Sequence, residues 1–523
     1  MKGKANHWAD GTAEKVVNRK GKKERYTCAS GITPSGTIHI GNFREIISVD
    51  LIVRALRDRG ENVRFIYSWD NYDVFRKVPK NMPQPEVLES FLRKPITLVP
   101  DTRGVYESYA EANEKELEQL LPMVGIEPEY IYQASRYRSS TYAEGIRTAL
   151  EKRDVIRAIL DEHRTHPLPE EWWPVSVFST FTDRDNTTVL AWDGEWGLTY
   201  RCEDTGNEET LDLRKTSAVK LPWRIDWPMR WAYEGVDFEP AGKDHHSEGG
   251  SFDTARRVVK EVYGGDAPVT FQYDFLRIKG RGGKISSSSG EVVGLREVLE
   301  VYQPEVVRYL FAGTKPNSEF AVSFDLDVLK IYEDYDKCER IYFGEQEVGE
   351  KKREKESRIY ELCQVKAPPE NMPPQIPFRH LCNLLQIHSG DVGGVLGMFE
   401  LDPEARRRME VRAQCAWNWV KNFSPEDFRF RLQTAGDPKV KVSPKEEKVL
   451  AALKGIVEKL EEYDEKSVGQ AIYDIAEDAE IEPKELFELC YKVLIGKEKG
   501  PRLAGFIMTI GKEKTLEILK RYV

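Results

Sequence analysis

Residues 24–70, "ERYTCASGITPSGTIHIGNFREIISVDLIVRALRDRGENVRFIYSWD", contain one whole supersecondary unit. The β-rich run ending at Ile32 gives way to a loop with Pro34, Gly36 and Gly41. From Asn42 apolar residues recur at helical spacing until Gly60, which suits a helix C-cap. A second β-rich run, "NVRFIYSWDNYD" (62–73), follows and closes on aspartates. Strand, loop, helix and strand in that order predict a right-handed crossover in a parallel sheet.

Beyond this unit the pattern changes several times. Prolines cluster in "KVPKNMPQPEVLESFLRKPITLVP" (77–100), an irregular excursion from the sheet. Residues 109–126 and 140–163 have helical spacing, and 181–213 alternate apolar and polar residues around turn pairs, as a small antiparallel sheet does. Strand, loop and helix resume over 236–264, and beyond Asp325 the chain reads as helices. The expected fold class is α/β, a parallel Rossmann-like nucleotide-binding sheet with a mixed α+β insertion, followed by an all-α C-terminal region. The expected segments are 1–98 and 216–275 as the two halves of the sheet domain, 99–215 as the insertion and 276–346 as a further region. A charged, proline-rich linker at 347–377 and a helical region at 378–523 complete the chain.

Composition bounds the function. Of 523 residues, 40% are hydrophobic and 32% charged, as in soluble globular proteins. No apolar run approaches bilayer length and "MKGKANHWAD" lacks a signal-peptide core, so the expected location is the cytoplasm, with no membrane partner. Seven cysteines without a CxxC pair support neither a disulfide framework nor a zinc site. A net charge of −10 argues against indiscriminate nucleic-acid binding. It leaves "RKGKKERY" (19–26) and "LRKTSAVKLPWR" (213–224) as local basic runs, either phosphate-binding or simply solvated faces.

Two loops carry chemistry. "TPSGTIHIGN" (33–42) enters a helix from the C-terminal end of a strand, where open α/β sheets bind ligands and where helix N–H groups attract phosphate. His39 can donate to phosphate oxygens, and Gly41 leaves room for a flat base. The rival reading is a plain turn with His39 satisfied by a carbonyl. "IKGRGGKISSSSG" (278–290) is glycine-rich, with Lys284 at its centre. It lacks the Walker spacing and suits a mobile loop that brings an ammonium to developing charge on a phosphoryl group.

His39-Ile40-Gly41-Asn42 resembles the HIGH signature, and Lys284-Ile285-Ser286-Ser287-Ser288 the KMSKS signature, of class I aminoacyl-tRNA synthetases. "HWAD" (7–10), "SGITPSG" (30–36), "WDNYDVFRKVPKN" (69–81), "PLPEEWWP" (167–174), "WRIDWPMRW" (223–231) and "GVDFEPAGKDH" (235–245) together look like the class I lysyl-tRNA synthetase family. The dense resemblance runs to about residue 345. It implies that L-lysine is activated by ATP, with Mg2+ accompanying the nucleotide, and passed to the 2′-hydroxyl of the terminal adenosine of tRNA-Lys. It also implies that 276–346 is the signature-loop and stem-contact region and that 378–523 binds the anticodon; the expected oligomeric state is a monomer.

The resemblance makes His39, Asn42 and Lys284 catalytic. It places Pro34, Ser35, Gly36, His39, Gly41, Asn42, Lys284, Ser286 and Ser287 at ATP. Gly31, Thr33, Asp70, Trp223, His245 and Tyr273 are placed at lysine. Asp70 is an anion for an ammonium group, or else a helix cap or loop carboxylate. Trp223, Trp227 and Trp231 lie at i, i+4 and i+8, so a helical core stripe competes with a pocket role, and Pro228 argues against an undisturbed helix. A second lysine late in the signature is absent here, leaving Lys284 to act alone or with Arg281.

Many members carry zinc ligands near the segments matching "DTRGVYESYAEAN" (101–113) and "VFSTFTDRDN" (177–186). Here Val105, Tyr106, Ser179 and Thr182 stand in those segments with only Cys202 near, so no structural zinc is expected. The alternatives left open are a catalytically weakened tRNA-binding paralogue and a synthetase of the same class for glutamate or arginine. In the helical region "CAWNWVKNFSPEDFRFRLQ" (415–433) interleaves aromatics with Lys421, Arg429 and Arg431, either to stack bases or as an aromatic core helix.

Overall fold

The structure is a computed structural model and describes residues 7–80, 82–279 and 293–523; Arg281, Lys284, Ser286, Ser287 and Ser288 lie outside the described residues. The chain divides into two compact units. One holds residues 1–298, 304–322 and 344–368, and the other 299–303, 323–343 and 369–523.

In the first unit, β1 (Tyr26–Ile32) and β2 (Val63–Trp69) pair in parallel with Tyr26 opposite Val63 and Ile32 opposite Trp69. Helix α2 (Ile40–Asp58) joins them as expected. Its apolar residues serve the core on several sides, with Ile47, Val49, Leu51, Ile52 and Val53 all at 0% exposure. A third strand, β3 (Glu129–Tyr132), adds in parallel on the far side of β2. It lies inside the 99–215 segment read as an insertion, because a four-residue run offers too little alternation to stand out between helices.

On the near side of β1 the chain at Phe238 bridges in parallel to Cys28, and Val269 bridges in turn to Phe238. Strand order therefore reverses at β1. In doubly wound sheets the crevice beyond the strand ends at such a reversal is where ligands bind.

Helix α1 (Trp8–Lys20) is an element that the spacing did not announce. It buries only the small Ala9, Ala13 and Val16, and its N-cap is His7, whose side chain accepts from the Ala9 amide. The tryptophan run forms a continuous helix, Trp223–Glu234, through Pro228, contrary to the expectation of a disturbed one. Burial of Trp227, Pro228 and Trp231 outweighs the one backbone hydrogen bond that proline removes.

The inserted part contains the expected antiparallel sheet, with strands Thr187–Trp192, Gly197–Cys202 and Glu208–Asp212. Its core includes Tyr137, Tyr142, Phe178 and Tyr200. The segment 347–377 contains a helix, Glu350–Cys363, that buries Ile359, Tyr360, Leu362 and Cys363.

The second unit is helical. Pro403, Pro444 and Pro483 stand at the starts of helices, where a missing N–H costs nothing, and Asp402 and Ser443 cap two of them. Among the described residues no helix is long and apolar enough to cross a membrane.

Candidate active site

A cavity of about 530 Å³ opens in the crevice at the strand reversal. All six residues expected at lysine line it: Gly31 and Thr33 from the end of β1, Asp70 from the end of β2, then Trp223, His245 and Tyr273. Asn42 of α2 joins them. Pro34, Ser35, Gly36, His39 and Gly41 are not among the lining residues; they form the loop and the first turn beside it.

That loop is held from below. The Tyr109 hydroxyl donates to the Ser35 carbonyl at 2.8 Å and the Asn113 amide donates to the Pro34 carbonyl at 3.1 Å. His39 is the N-cap of α2. Its Nδ1 accepts from the Asn42 amide at 3.2 Å, and the Asn42 side chain accepts in return from the His39 amide at 3.2 Å. An accepting Nδ1 leaves the proton of the neutral ring on Nε2, the tautomer that a phosphate donor requires.

The glycine at 41 also has a local reason. A Cβ on Gly41 would stand 2.9 Å from two atoms of the His39 ring, so the close approach at Gly41 is made by the capping imidazole itself. At Gly31 a Cβ would stand 2.7 Å from the Ser68 carbonyl oxygen, which ties this glycine to strand pairing as well as to the cavity.

Four carboxylates line the cavity, and three already have a cationic partner. Asp70 pairs with Arg230 at 2.5 Å, Asp73 with Lys220 at 2.6 Å and Asp185 with Arg93 at 2.8 Å. Glu45 is the exception among the described residues. It accepts from the Ser30 hydroxyl at 2.8 Å, the Tyr273 hydroxyl at 2.5 Å and, at 3.4 Å, the Gly31 amide, with no positive group in contact. Burial raises its pKa above the ordinary carboxylate value, and the three donors offset part of that shift.

An enclosed anion without a cation is a place for a ligand's cation. Glu45 was missed in the sequence because it lies on the helix after the signature, where a carboxylate looks like any solvated position. The turn geometry of α2 brings it under Gly31.

The remaining wall is aromatic. Trp223, 38% exposed, stacks on Trp227 with centroids 4.8 Å apart, while Trp227 and Trp231 are buried. Of this helix, Trp223 lines the cavity, while Trp227 and Trp231 form the buried stripe. His245 contacts the Ser251 hydroxyl at 2.5 Å through Nδ1, and burial lowers its pKa, favouring the neutral ring.

Behind this wall burial pushes Glu239 up to about 7, with the hydrogen bond from the Trp231 indole, which donates to it at 2.6 Å, acting against the shift. Its folded value lies above its unfolded one. The stability linked to its proton is therefore fully present near pH 4 and lost as pH rises to about 7. Glu239→Gln, which keeps the acceptor and removes the charge, is expected to raise the melting temperature relative to wild type by about 3 °C more at pH 8 than at pH 5. A difference independent of pH in thermal melts contradicts this.

In the insertion, Ser179, Thr182 and Cys202 do come together, joined by Thr205. Two similar turns face each other. The Asp183 amide donates to the Ser179 carbonyl and the Gly206 amide to the Cys202 carbonyl, both at 2.8 Å, with φ of +60° at Asp183 and +74° at Gly206. Burial raises the Cys202 pKa, but hydrogen bonds from Ser179 and Thr205 and from the Thr205 and Asp204 amides draw it down to about 7. One thiol and three hydroxyls are not a donor set for structural zinc. Near Val105 and Tyr106 the turn is organised by Asp101, whose carboxylate accepts from the amides of Arg103, Val105 and Tyr106. Among the described residues no group of three or more His, Cys, Asp or Glu is placed to hold a metal.

In the helical unit a separate cavity of about 1030 Å³ is lined by Arg379, Lys497, Lys499 and Arg502 together with Phe399 and Phe428. Of the cations singled out in the sequence, Arg429 is spent on the Ser424 carbonyl and Arg431 on Asp437, while Lys421 lies over Trp417. Trp419 is fully buried, so this stretch is in part a core helix.

Residues 6–366 match the family model described as tRNA synthetases class I (K), and residues 423–523 match an anticodon binding domain. The chain is similar to lysine--tRNA ligases along its whole length. It is 54% identical to that of Borreliella burgdorferi over 99% of this chain and 100% of the relative, and 52% identical to that of Treponema pallidum over 99% of each. It is 41% identical to that of Pyrococcus horikoshii over 98% of this chain and 99% of the relative.

Proposed function

Because the chain belongs to the class I (K) family of tRNA synthetases, we propose that it is a lysine--tRNA ligase, joining L-lysine to tRNA-Lys at the cost of ATP. The observation that carries the reading is identity above 50% with lysine--tRNA ligases over the full chain. The cavity supports it, since a half-buried anion beside a tryptophan face suits a long side chain ending in an ammonium.

The lysine carboxylate attacks the α-phosphorus of ATP in line and pyrophosphate leaves. The 2′-hydroxyl of the terminal adenosine then takes the lysyl group from the adenylate. A carboxylate is already a nucleophile at neutral pH, so orientation and charge stabilisation carry the rate. Glu45 takes the ε-ammonium, with Tyr273 fixing its carboxylate. Trp223 and His245 flank the methylenes, and Gly31 and Thr33 meet the amino-acid backbone. Asp70, engaged by Arg230, is the weaker second anion. The His39 Nε2–H and Asn42 face the phosphates beside Pro34, Ser35 and Gly36, and Lys284 stabilises the departing pyrophosphate with Ser286 and Ser287. Mg2+ accompanies ATP and neutralises phosphate charge when bound. No structural zinc is part of the proposal. The cation- and phenylalanine-lined cavity of the helical unit is the proposed seat of the anticodon loop, since unstacked bases bind aromatic and guanidinium faces. The enzyme is placed in the cytoplasm as a monomer.

The test is aminoacylation of tRNA-Lys with each of lysine, glutamate and arginine. Lysine alone is expected to be charged. Charging of glutamate or arginine instead, or of none while tRNA is bound, favours one of the two alternatives.

A further inference from the structure

Arg44, next to Glu45 on α2, is only 2% exposed. Among the described residues no carboxylate pairs with it; it is instead ringed by main-chain carbonyls. Nη1 donates to Asp274 O at 2.6 Å and Phe275 O at 2.9 Å. Nη2 donates to Lys315 O at 3.3 Å, Pro316 O at 2.7 Å and Ser318 O at 2.6 Å. The guanidinium also lies 5.1 Å from the centroid of the Phe320 ring. A buried cation held by five carbonyls from two chain segments fixes those segments far more tightly than a surface ion pair would.

The residue preceding Asp274 is Tyr273, whose hydroxyl holds Glu45. Consecutive residues of α2, Arg44 and Glu45, thus grip consecutive residues of one strand end, the first through the backbone and the second through the phenol. The Asp274 amide donates to Pro316 O, so the same carbonyl that accepts from Arg44 also anchors this strand end.

We propose that Arg44 is a positioning residue for amino-acid recognition: it locks the backbone at Asp274–Phe275 so that the Tyr273 hydroxyl orients the Glu45 carboxylate toward the substrate ammonium. This rests on the reading of the cavity as the lysine pocket. Lysine in place of arginine keeps the charge but offers three donors to five carbonyls, so the strand end is released while the cavity keeps all its lining groups.

The test is lysine-dependent pyrophosphate exchange by the full chain with tRNA-Lys present. Arg44→Lys is expected to raise KM for lysine about tenfold or more, with kcat and KM for ATP within about threefold of wild type. Tyr273→Phe is expected to raise it similarly, and Arg44→Lys/Tyr273→Phe no more than the larger single change, because both act on one contact. Phe320→Leu removes the ring beneath the guanidinium and leaves every carbonyl. It is expected to shift lysine KM in the same direction by a smaller factor, and it decides the matter if Arg44→Lys does not fold. Folded variants whose lysine KM stays within twofold while only the melting temperature falls, or a double variant whose effects multiply, overturn the proposal. A wild-type protein that activates another amino acid overturns the lysine reading and this inference with it, whereas an active wild type with unmoved variants overturns the inference alone.

Discussion

Glu45→Gln is expected to lower kcat/KM for lysine about 100-fold or more in pyrophosphate exchange, almost all of it in KM, while KM for ATP stays within threefold. The other three carboxylates of the cavity are already neutralised by Arg230, Lys220 and Arg93. Removing the one cavity carboxylate that has no cationic partner among the described residues is therefore expected to take away the field that would hold an ammonium. The same substitution is expected to improve the relative use of norleucine, which is lysine without its terminal amino group, since a neutral amide penalises a methyl terminus less than a carboxylate does.

The pH dependence follows in sign. Burial raises the Glu45 pKa, and only the carboxylate form attracts the ammonium, so wild-type KM for lysine rises as pH falls through that raised value. Glu45→Gln loses this limb of the profile. If Glu45→Gln keeps its lysine KM and Asp70→Asn does not, the ammonium is held at the mouth of β2 instead.

Lys284→Ala is expected to cut kcat for exchange about 100- to 1000-fold with lysine KM nearly unchanged, as removal of one donor to developing charge does elsewhere. The signature here has serines where a second lysine is usual, so Lys284 acts with less help. Arg281→Ala is expected to add a further loss of about tenfold if Arg281 shares the charge. Single-turnover formation of lysyl-adenylate measures both. An unchanged rate in Lys284→Ala removes this loop from the mechanism and strengthens the reading of a chain that binds tRNA without catalysis.

The core of the fold was readable because each local signal agreed with the global one. Apolar spacing, Gly60 at the helix end and two β-rich runs predict β1, α2 and β2, and they form in that register. What escaped was short or small. The four residues of β3 and the alanine face of α1 leave no strong period, and their placement comes from the surfaces they cover. At the cavity, every lysine-pocket residue named from motif strings lines the wall, yet Glu45 and Arg44 were invisible. A Glu and an Arg in a helix are ordinary, and only the approach of Tyr273 and five carbonyls makes them specific.

The sequence alone determined the class of sheet, the loop at its C-terminal edge, the family resemblance and the residue types available to phosphate and lysine. Local spacing and turn chemistry suffice for these, since they depend on neighbours along the chain. Which carboxylate keeps an uncompensated charge was decided by tertiary structure, because partners such as Arg230 and Lys220 arrive from more than 140 residues away. So was one reason for the glycine at 41: a Cβ there would meet the imidazole that caps α2.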